Sequence, residues 1–155
     1  MIVFRLCKYN VADDLKGVGA RTIGGRWNSK GVPMIYTSAS RALCTAEIAV
    51  HTPLGILPDD YYITAIQVPD KFISTFPEQN LLSDWKSFPH SNSTRKIGDL
   101  FIKENKHLVL RVPSAVVQGD YNYLLNPGHR LFPGVRILSI EPYVFDHRLF
   151  KHQLR

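Results

Sequence analysis

Short apolar runs rich in β-branched and aromatic residues recur along the chain and predict β-strands. None of these runs approaches the roughly 20 apolar residues that a membrane-spanning helix needs. Residues 69–92 hold three prolines and predict a loop with a short helical turn. The predicted strands are Ile2 to Cys7, Pro33 to Thr37, Tyr61 to Val68, His107 to Val112 and Val135 to Val144.

Two other stretches repeat their apolar residues at helical spacing. Ser40 is a suitable N-cap for a helix from Arg41 to His51. A second helix, capped by Ser93 or Thr94, is predicted to run to about Asn105. Because strands and helices do not alternate regularly, we expect a mixed α+β domain with a β-core and not a doubly wound parallel sheet.

Length and composition fit one domain over residues 1–155. The chain is 45% hydrophobic and can bury a core without a disulfide or a metal. Its first apolar run meets Arg5 at once, which is not the pattern of a signal peptide. Cys7 and Cys44 are isolated, and Cys44 lies in an apolar run where we expect it to be buried. These features indicate a reduced, cytoplasmic setting and no membrane association.

The charge is positive and unevenly distributed. The formal net charge is +6, and residues 1–30 carry six basic and two acidic side chains. Residues 47–90 reverse this balance, with six acids and two bases. A basic balance attracts polyanions such as nucleic acid, a phosphate-bearing ligand or an acidic partner. Ordinary surface charge for solubility explains the composition equally well.

Residues 17–31 combine five glycines with Arg21, Arg26 and Lys30. Glycines let the backbone approach a ligand closely, and N–H groups and guanidinium groups together suit a pyrophosphate. No Gly-Lys-Ser/Thr follows, so the segment is not a Walker A loop. A mobile surface loop is the alternative interpretation of this segment.

Other catalytic motifs are missing from the sequence. The six histidines show no HExxH and no paired metal spacing, so we expect no metal site. No Gly-x-Ser-x-Gly elbow is present, which argues against a serine-hydrolase triad.

An ordered set of short motifs makes the chain recognisable. Gly24-Gly25-Arg26-Trp27-Asn28 precedes Tyr36-Thr37-Ser38, then Ala46-Glu47, Val112-Pro113-Ser114 and Asn126-Pro127. With these residues the chain resembles the RES-domain family, toxin halves of bacterial toxin–antitoxin pairs named for recurring Arg, Glu and Ser residues. Those three positions are matched here by Arg26, Glu47 and Ser114.

The resemblance implies a fold like that of ADP-ribosyltransferase toxins, with an NAD cleft in a mixed β-core. It implies that NAD is consumed as a substrate and that no cofactor is bound permanently. Phosphorolysis with inorganic phosphate as co-substrate is the favoured reaction, with hydrolysis or ADP-ribosyl transfer to a protein as alternatives. The implied partner is a small helix-turn-helix, Xre-like antitoxin that covers the cleft.

The chemistry of these residues agrees with cleavage of an N-glycosidic bond. Such cleavage builds positive charge on the ribose, which a carboxylate stabilises. Glu47 is the only acid between Asp14 and Asp59 and is therefore the catalytic candidate. Arg26 and Arg5 are candidates for the pyrophosphate, since a guanidinium pairs bidentately with phosphate oxygens.

Three further residues complete the predicted site. Tyr36, at a strand end, can stack on nicotinamide or form a hydrogen bond with the ribose, and it can equally be an aromatic residue of the core. Ser114 follows a proline at a strand end and can face the cleft or cap a turn. Asn126 can bind an amide or a ribose hydroxyl, or simply form a turn before Pro127. His51, four residues after Glu47, is read as a helix C-terminal residue favoured by the helix dipole.

Two alternatives come from other functional classes. One is a basic nucleic-acid-binding domain or ribonuclease toxin, which the positive charge supports. Against it, Trp27 is the only aromatic residue among the basic residues of the glycine-rich segment, so we expect no direct nucleic-acid binding. The other is an interaction module that keeps the fold without catalysis.

Overall fold

The apolar strands pair into one seven-stranded sheet in the computed structural model, which describes residues 1–150. The strand order is β4-β5-β6-β2-β1-β3-β7, with β4 and β5 parallel and the other neighbours antiparallel. The strands are β1 (Ile2–Lys8), β2 (Ile35–Ser38), β3 (Tyr61–Gln67), β4 (Ile73–Thr75), β5 (Val109–Pro113), β6 (Tyr121–Leu125) and β7 (Arg136–Tyr143). The α-helices are α1 (Val18–Ile23), α2 (Arg41–His51) and α3 (Asn92–Glu104).

The predicted α+β class is confirmed, and all five predicted strands form, with ends that differ by one or two residues. The helix from Arg41 to His51 has the predicted bounds, and the Ser40 side chain accepts a hydrogen bond from Leu43 N at 3.0 Å. Residues 151–155 of the predicted 1–155 domain lie outside the described part of the chain. No helix within residues 1–150 is both long and apolar enough to cross a bilayer.

The predicted N-cap of α3 is wrong. Ser91, and neither Ser93 nor Thr94, caps the helix, and its Oγ accepts a hydrogen bond from Ser93 N at 3.0 Å. Thr94 is buried instead, and its hydroxyl donates to the carbonyl oxygen of Arg26 at 2.6 Å. The threonine therefore ties α3 to the glycine-rich segment.

Two strands and one α-helix were not predicted from the sequence. β6 is a central strand between β2 and β5, and it buries Leu124 and Leu125. It lacks the regular alternation of a half-buried strand because Asn122 and two tyrosines occupy its first half. The short strand β4 lies in the predicted proline-rich loop, and α1 lies within the predicted glycine-rich loop.

α3 packs closely against the glycine-rich segment at Gly98. A Cβ built on Gly98 would lie 1.7 Å from the carbonyl oxygen of Trp27. Trp27 is buried in a cluster with Met34, Trp85 and Phe101 of α3. The close backbone approach at Gly98 therefore sets the position of the segment that carries Arg26.

We expect Gly98→Ala to destabilise the fold, although alanine is the better helix former by about 1 kcal/mol. The added methyl overlaps Trp27 O, and such overpacking typically costs about 1–3 kcal/mol or more. Urea unfolding measures the change.

Gly19→Ala in α1 is the matched control. A Cβ at Gly19 meets no atom within 4 Å, so this variant should be neutral or slightly stabilised. Equal stability of the two variants would contradict the packing described at Gly98.

Candidate functional site

Polar side chains lie at one end of three neighbouring strands. Ser38 ends β2 and pairs with Asn122 of β6, which pairs in turn with Val112 of β5. Ser114 follows β5 directly. Ser38 and Ser114 are buried and Asn122 is partly buried, so each needs a hydrogen-bond partner.

Ser114 and Asn122 share one partner, the carboxylate of Glu47 on α2. Its Oε1 accepts hydrogen bonds from Asn122 Nδ2 at 2.8 Å and from Ser114 Oγ at 3.0 Å. Asn122 Oδ1 accepts a hydrogen bond from Ser38 Oγ at 2.8 Å. Among the described residues, no donor reaches Glu47 Oε2. One carboxylate oxygen is therefore fixed by the protein and the other is left for a ligand.

Two cavities meet at Glu47. One has a volume of about 330 Å³ and the other of about 350 Å³. Glu47, Tyr36 and Asn122 line both. The pair together has the size and the mixed lining that small-molecule sites show.

The first cavity, called here the apolar cavity, is lined mainly by hydrophobic side chains. Cys44 in its wall is buried, and burial raises the pKa of this thiol to about 11. The predicted burial of Cys44 is confirmed, and the thiol is protonated at neutral pH. Other lining side chains are Phe4, Leu6, Met34, Ile35 and Ile48.

The second cavity, called here the basic cavity, is lined by Arg26, His51 and His90 together with Glu47. Burial lowers the pKa of the Arg26 guanidinium, and the negative charge of Glu47 opposes this effect. The structure thus brings together Arg26, Glu47 and Tyr36 as the sequence predicts, around one opening.

Tyr36 supports the loop that carries Arg26. Its hydroxyl accepts a hydrogen bond from Trp27 N at 2.9 Å and donates one to Asn28 Oδ1 at 2.7 Å. Burial raises the pKa of Tyr36, so the phenol stays protonated. Its hydroxyl is occupied by the loop, which leaves the ring as the part that can contact a ligand.

Arg26 is anchored at one end of its guanidinium. Nη1 donates to the carbonyl oxygens of Trp85 at 2.5 Å and Ser87 at 3.2 Å. No described residue accepts a hydrogen bond from Nη2 or Nε. Those donors can serve an anion in the basic cavity.

Arg5 lines the apolar cavity but is committed to the backbone. Its guanidinium donates to the carbonyl oxygens of Val11, Ala12 and Asp14 at 2.5–3.1 Å. This arrangement holds the segment after β1 in place and differs from the open phosphate-binding fork that the sequence predicts.

Two other predicted residues do not line either cavity. Ser114 Oγ accepts hydrogen bonds from Val116 N and Val117 N while donating to Glu47, so the hydroxyl contacts the carboxylate and leaves no free group. Asn126 is buried in a turn, where it donates to Asn105 and accepts from Gly128 N. The structure does not bring Asn126 to this site.

The glycine-rich segment forms hydrogen bonds within itself. Gly25 N donates to Asn28 O at 2.9 Å, and Gly31 N donates to Arg21 O at 2.8 Å. The buried Asn28 side chain donates to three further carbonyl oxygens of the same region. The backbone amides of Gly25 and Gly31 are therefore not free for a pyrophosphate.

Sequence reasoning missed Ser38, Asn122 and His90 as site residues and read His51 as a helix-end residue. The signal for His51 was its i, i+4 spacing from Glu47. No local signal marked Asn122, because its strand was not recognised. Within residues 1–150, no three His, Cys, Asp or Glu side chains are grouped closely enough to hold a metal ion.

Comparison with protein families matches residues 2–146 to the RES domain. Among curated proteins, the Prs ADP-ribosylating toxin of Sphingobium sp. strain YBL2 is 34% identical, covering 90% of this chain and 89% of its own length. Toxin Res of Pseudomonas putida KT2440 is 34% identical, over 97% of this chain and all of its own length. Toxin Res of Yersinia enterocolitica is 33% identical, covering 96% of this chain and 99% of its own length.

A solved structure has the same fold. The crystal structure of the Mycobacterium tuberculosis MbcT–MbcA toxin–antitoxin complex contains a chain that matches with a TM-score of 0.72 and 23% identity. The match covers 92% of this chain and 84% of that chain. It shows that this chain shares its α+β fold with that toxin–antitoxin structure.

We expect Tyr36→Phe to lower the free energy of unfolding by about 1–3 kcal/mol, because it leaves Trp27 N–H and Asn28 Oδ1 without partners. Urea unfolding measures the loss. Tyr9→Phe is the control, since Tyr9 is 61% exposed and should tolerate the change. A Tyr36→Phe variant as stable as this control would show that the Tyr36 hydroxyl does not support the loop that carries Arg26.

Proposed function

Because this chain belongs to the RES domain family, we propose that it is the toxin of a bacterial toxin–antitoxin pair that cleaves the nicotinamide–ribose bond of NAD. The observation that carries the proposal is the carboxylate of Glu47, with one oxygen fixed and one open, where an apolar cavity meets a basic one.

The two cavities suit two neighbouring parts of NAD, the nicotinamide and the pyrophosphate. The apolar cavity offers a hydrophobic wall and the Tyr36 ring to the flat nicotinamide. The basic cavity offers Arg26 to the pyrophosphate. The nicotinamide ribose then lies between them, beside Glu47. NAD is thus a substrate and not a resident cofactor in this proposal.

Glu47 supplies the electrostatic part of the reaction. As the C–N bond breaks, its electron pair passes to the pyridinium nitrogen, and positive charge develops on the ribose. A carboxylate held beside that charge stabilises the transition state more than the ground state. The two hydrogen bonds to Oε1 keep the carboxylate in position, so little reorganisation is needed.

We further propose that inorganic phosphate is the acceptor. A phosphate oxygen attacks the ribose carbon that nicotinamide leaves, and the products are nicotinamide and ADP-ribose 1''-phosphate. The positive charge of the basic cavity supports this choice, because it attracts an anionic nucleophile as well as the substrate. NAD hydrolysis by the same site would use water in its place.

Transfer of ADP-ribose to a protein is the second candidate. It is favoured by one specific comparison, the 34% identity to the Prs ADP-ribosylating toxin. The same carboxylate and the same bond cleavage serve both reactions, and only the acceptor differs.

The proposed partner is a small helix-turn-helix, Xre-like antitoxin that covers the cleft. Support comes from the toxin–antitoxin complex that shares this fold and from the relatives named as toxins. An acidic segment of the partner fits the basic cavity by charge, and it would then exclude NAD. We place the reaction in the bacterial cytoplasm.

The first experiment follows NAD consumption by the purified protein, with and without inorganic phosphate, and resolves the products by mass. Nicotinamide with ADP-ribose 1''-phosphate supports phosphorolysis, and nicotinamide with ADP-ribose supports hydrolysis. No consumption in either buffer contradicts NAD degradation. A parallel incubation with cell extract then detects ADP-ribosylated protein, while salt-dependent RNA binding or cleavage would favour the nucleic-acid alternative.

We expect Glu47→Gln to lower kcat by about 10²-fold or more with a smaller effect on KM for NAD, because the lost charge acts mainly in the transition state. Steady-state kinetics measure both constants. Glu104→Gln, at the exposed C-terminal end of α3, is the control and should match the wild type. An unchanged kcat in Glu47→Gln would refute the role of the Glu47 carboxylate in stabilising the transition state.

We expect Asn122→Ala to lower kcat about 10- to 100-fold, since a hydrogen bond to a charged group is worth about 1.5–3 kcal/mol. As a positioning residue, Asn122 acts through Glu47, so the loss should appear in kcat much more than in KM. Asn122→Asp should be worse than Asn122→Ala because it places a second carboxylate beside the first. Equal kcat values for Asn122→Ala and the wild type would contradict the positioning role.

A further inference from the structure

Three basic side chains converge on the basic cavity from separate parts of the chain. Arg26 comes from the glycine-rich segment, His51 from the last turn of α2, and His90 from the residues before α3. The two histidines have no part in the roles assigned above to Glu47, Arg26 and Tyr36. A ligand bound in the basic cavity would explain why both histidines line it together with Arg26.

One short segment, residues 85–88, lies beside all three bases. Residues 85–87 supply the carbonyl oxygens that hold Arg26 Nη1. The Phe88 ring lies 6.3 Å from the His51 ring and 5.4 Å from the His90 ring, measured between centroids. Residues 85–88 therefore lie beside both imidazoles and hold the guanidinium.

The three bases share a single lining carboxylate, Glu47, as compensating negative charge. Among the described residues, Arg26, His51 and His90 form no ion pair with a carboxylate, and Glu47 is the only acid that lines the cavity. His90 Nδ1 is buried and has no hydrogen-bond partner in the described part of the chain. Burial lowers the pKa of His90, and the charges of Arg26, Arg95 and His51 lower it further.

A bound oxyanion would compensate this excess of positive charge. It would neutralise the mutual repulsion of the bases and accept hydrogen bonds from imidazolium and guanidinium donors. Tetrahedral phosphate-type anions fit best, because their several oxygens can accept from donors that approach from three elements of the chain.

We propose that His51 and His90 act with Arg26 as a subsite for a phosphate-type oxyanion in the basic cavity. The inference rests on the proposed function for the source of that anion, which is either the pyrophosphate of NAD or the attacking inorganic phosphate. In both cases the histidines are ligand-binding residues, and the binding of the anion strengthens as they become protonated.

The experiment measures KM for NAD and KM for inorganic phosphate in the wild type, His51→Gln, His90→Gln and the double variant. His147→Gln is the control, because His147 lies outside both cavities. We expect each single change to raise one of the two KM values about 5-fold or more, and the double change to raise it further, while kcat changes less. Raised KM for NAD assigns the subsite to the pyrophosphate, and raised KM for phosphate assigns it to the nucleophile.

A second readout does not need turnover. Sulfate keeps its charge between about pH 5.5 and 8, where histidine titrates. Any pH dependence of the sulfate affinity measured by calorimetry therefore comes from groups of the protein. Of the other groups at the cavity, Arg26 and nearby Arg95 stay cationic and Tyr36 stays neutral across this range. Glu47 is present in every variant. Sulfate affinity should therefore rise as the pH falls in the wild type and stay nearly flat in the double variant.

The outcomes separate this inference from the proposed function. If the wild type consumes no NAD but binds sulfate with the histidine-dependent pH profile, the proposed function fails and the subsite stands. If the variants keep wild-type KM values and sulfate binding, or lose only kcat, the subsite is refuted while NAD cleavage stands.

Discussion

The shared hydrogen bonds to Glu47 Oε1 are the interaction on which the site depends. They join a helix to two strands that the chain supplies far apart, since Ser114 and Asn122 follow Glu47 by 67 and 75 residues. A partly buried carboxylate is costly without donors, so the same contacts that stabilise the packing of α2 also aim the carboxylate. Ser38 extends the arrangement to a third strand by bonding the amide of Asn122.

The rest of the site is a rigid loop held from two sides. Tyr36 of β2 holds Trp27 and Asn28 from the sheet side, and Gly98 and Thr94 hold the segment from α3. The backbone of Trp27 has no room to move toward the helix. Arg26 therefore faces the basic cavity because its neighbours are packed, and the glycines serve close packing more than ligand contact.

Much of this architecture could be predicted from local sequence. Alternating or continuous apolar runs marked five strands, and a capped amphipathic pattern gave the bounds of α2. The ordered motifs around Arg26, Tyr36 and Glu47 identified three residues that the fold does bring together. The sequence did not predict β6, because the first half of this strand is polar and contributes Asn122 to the site. Asn122 in particular interrupts the apolar pattern by which a buried strand is identified.

Three residues predicted for the site have their polar groups occupied by the protein itself. Ser114, Arg5 and Asn126 carry groups that suit a ligand, but the folded chain uses those groups for its own backbone or side chains. Which donors remain free depends on contacts between distant segments. His90 shows the converse, since only the tertiary structure places it beside Arg26 and His51.

The guanidinium of Arg5 has a thermodynamic consequence for the apolar cavity. Three carbonyl oxygens of residues 11–14 converge on it, so the rim of the cavity is already ordered in the free protein. Because this wall is preorganised, ligand binding carries no conformational-entropy cost for ordering it. Truncating Arg5 would thus weaken binding through a loosened rim, even for a ligand without any negative charge.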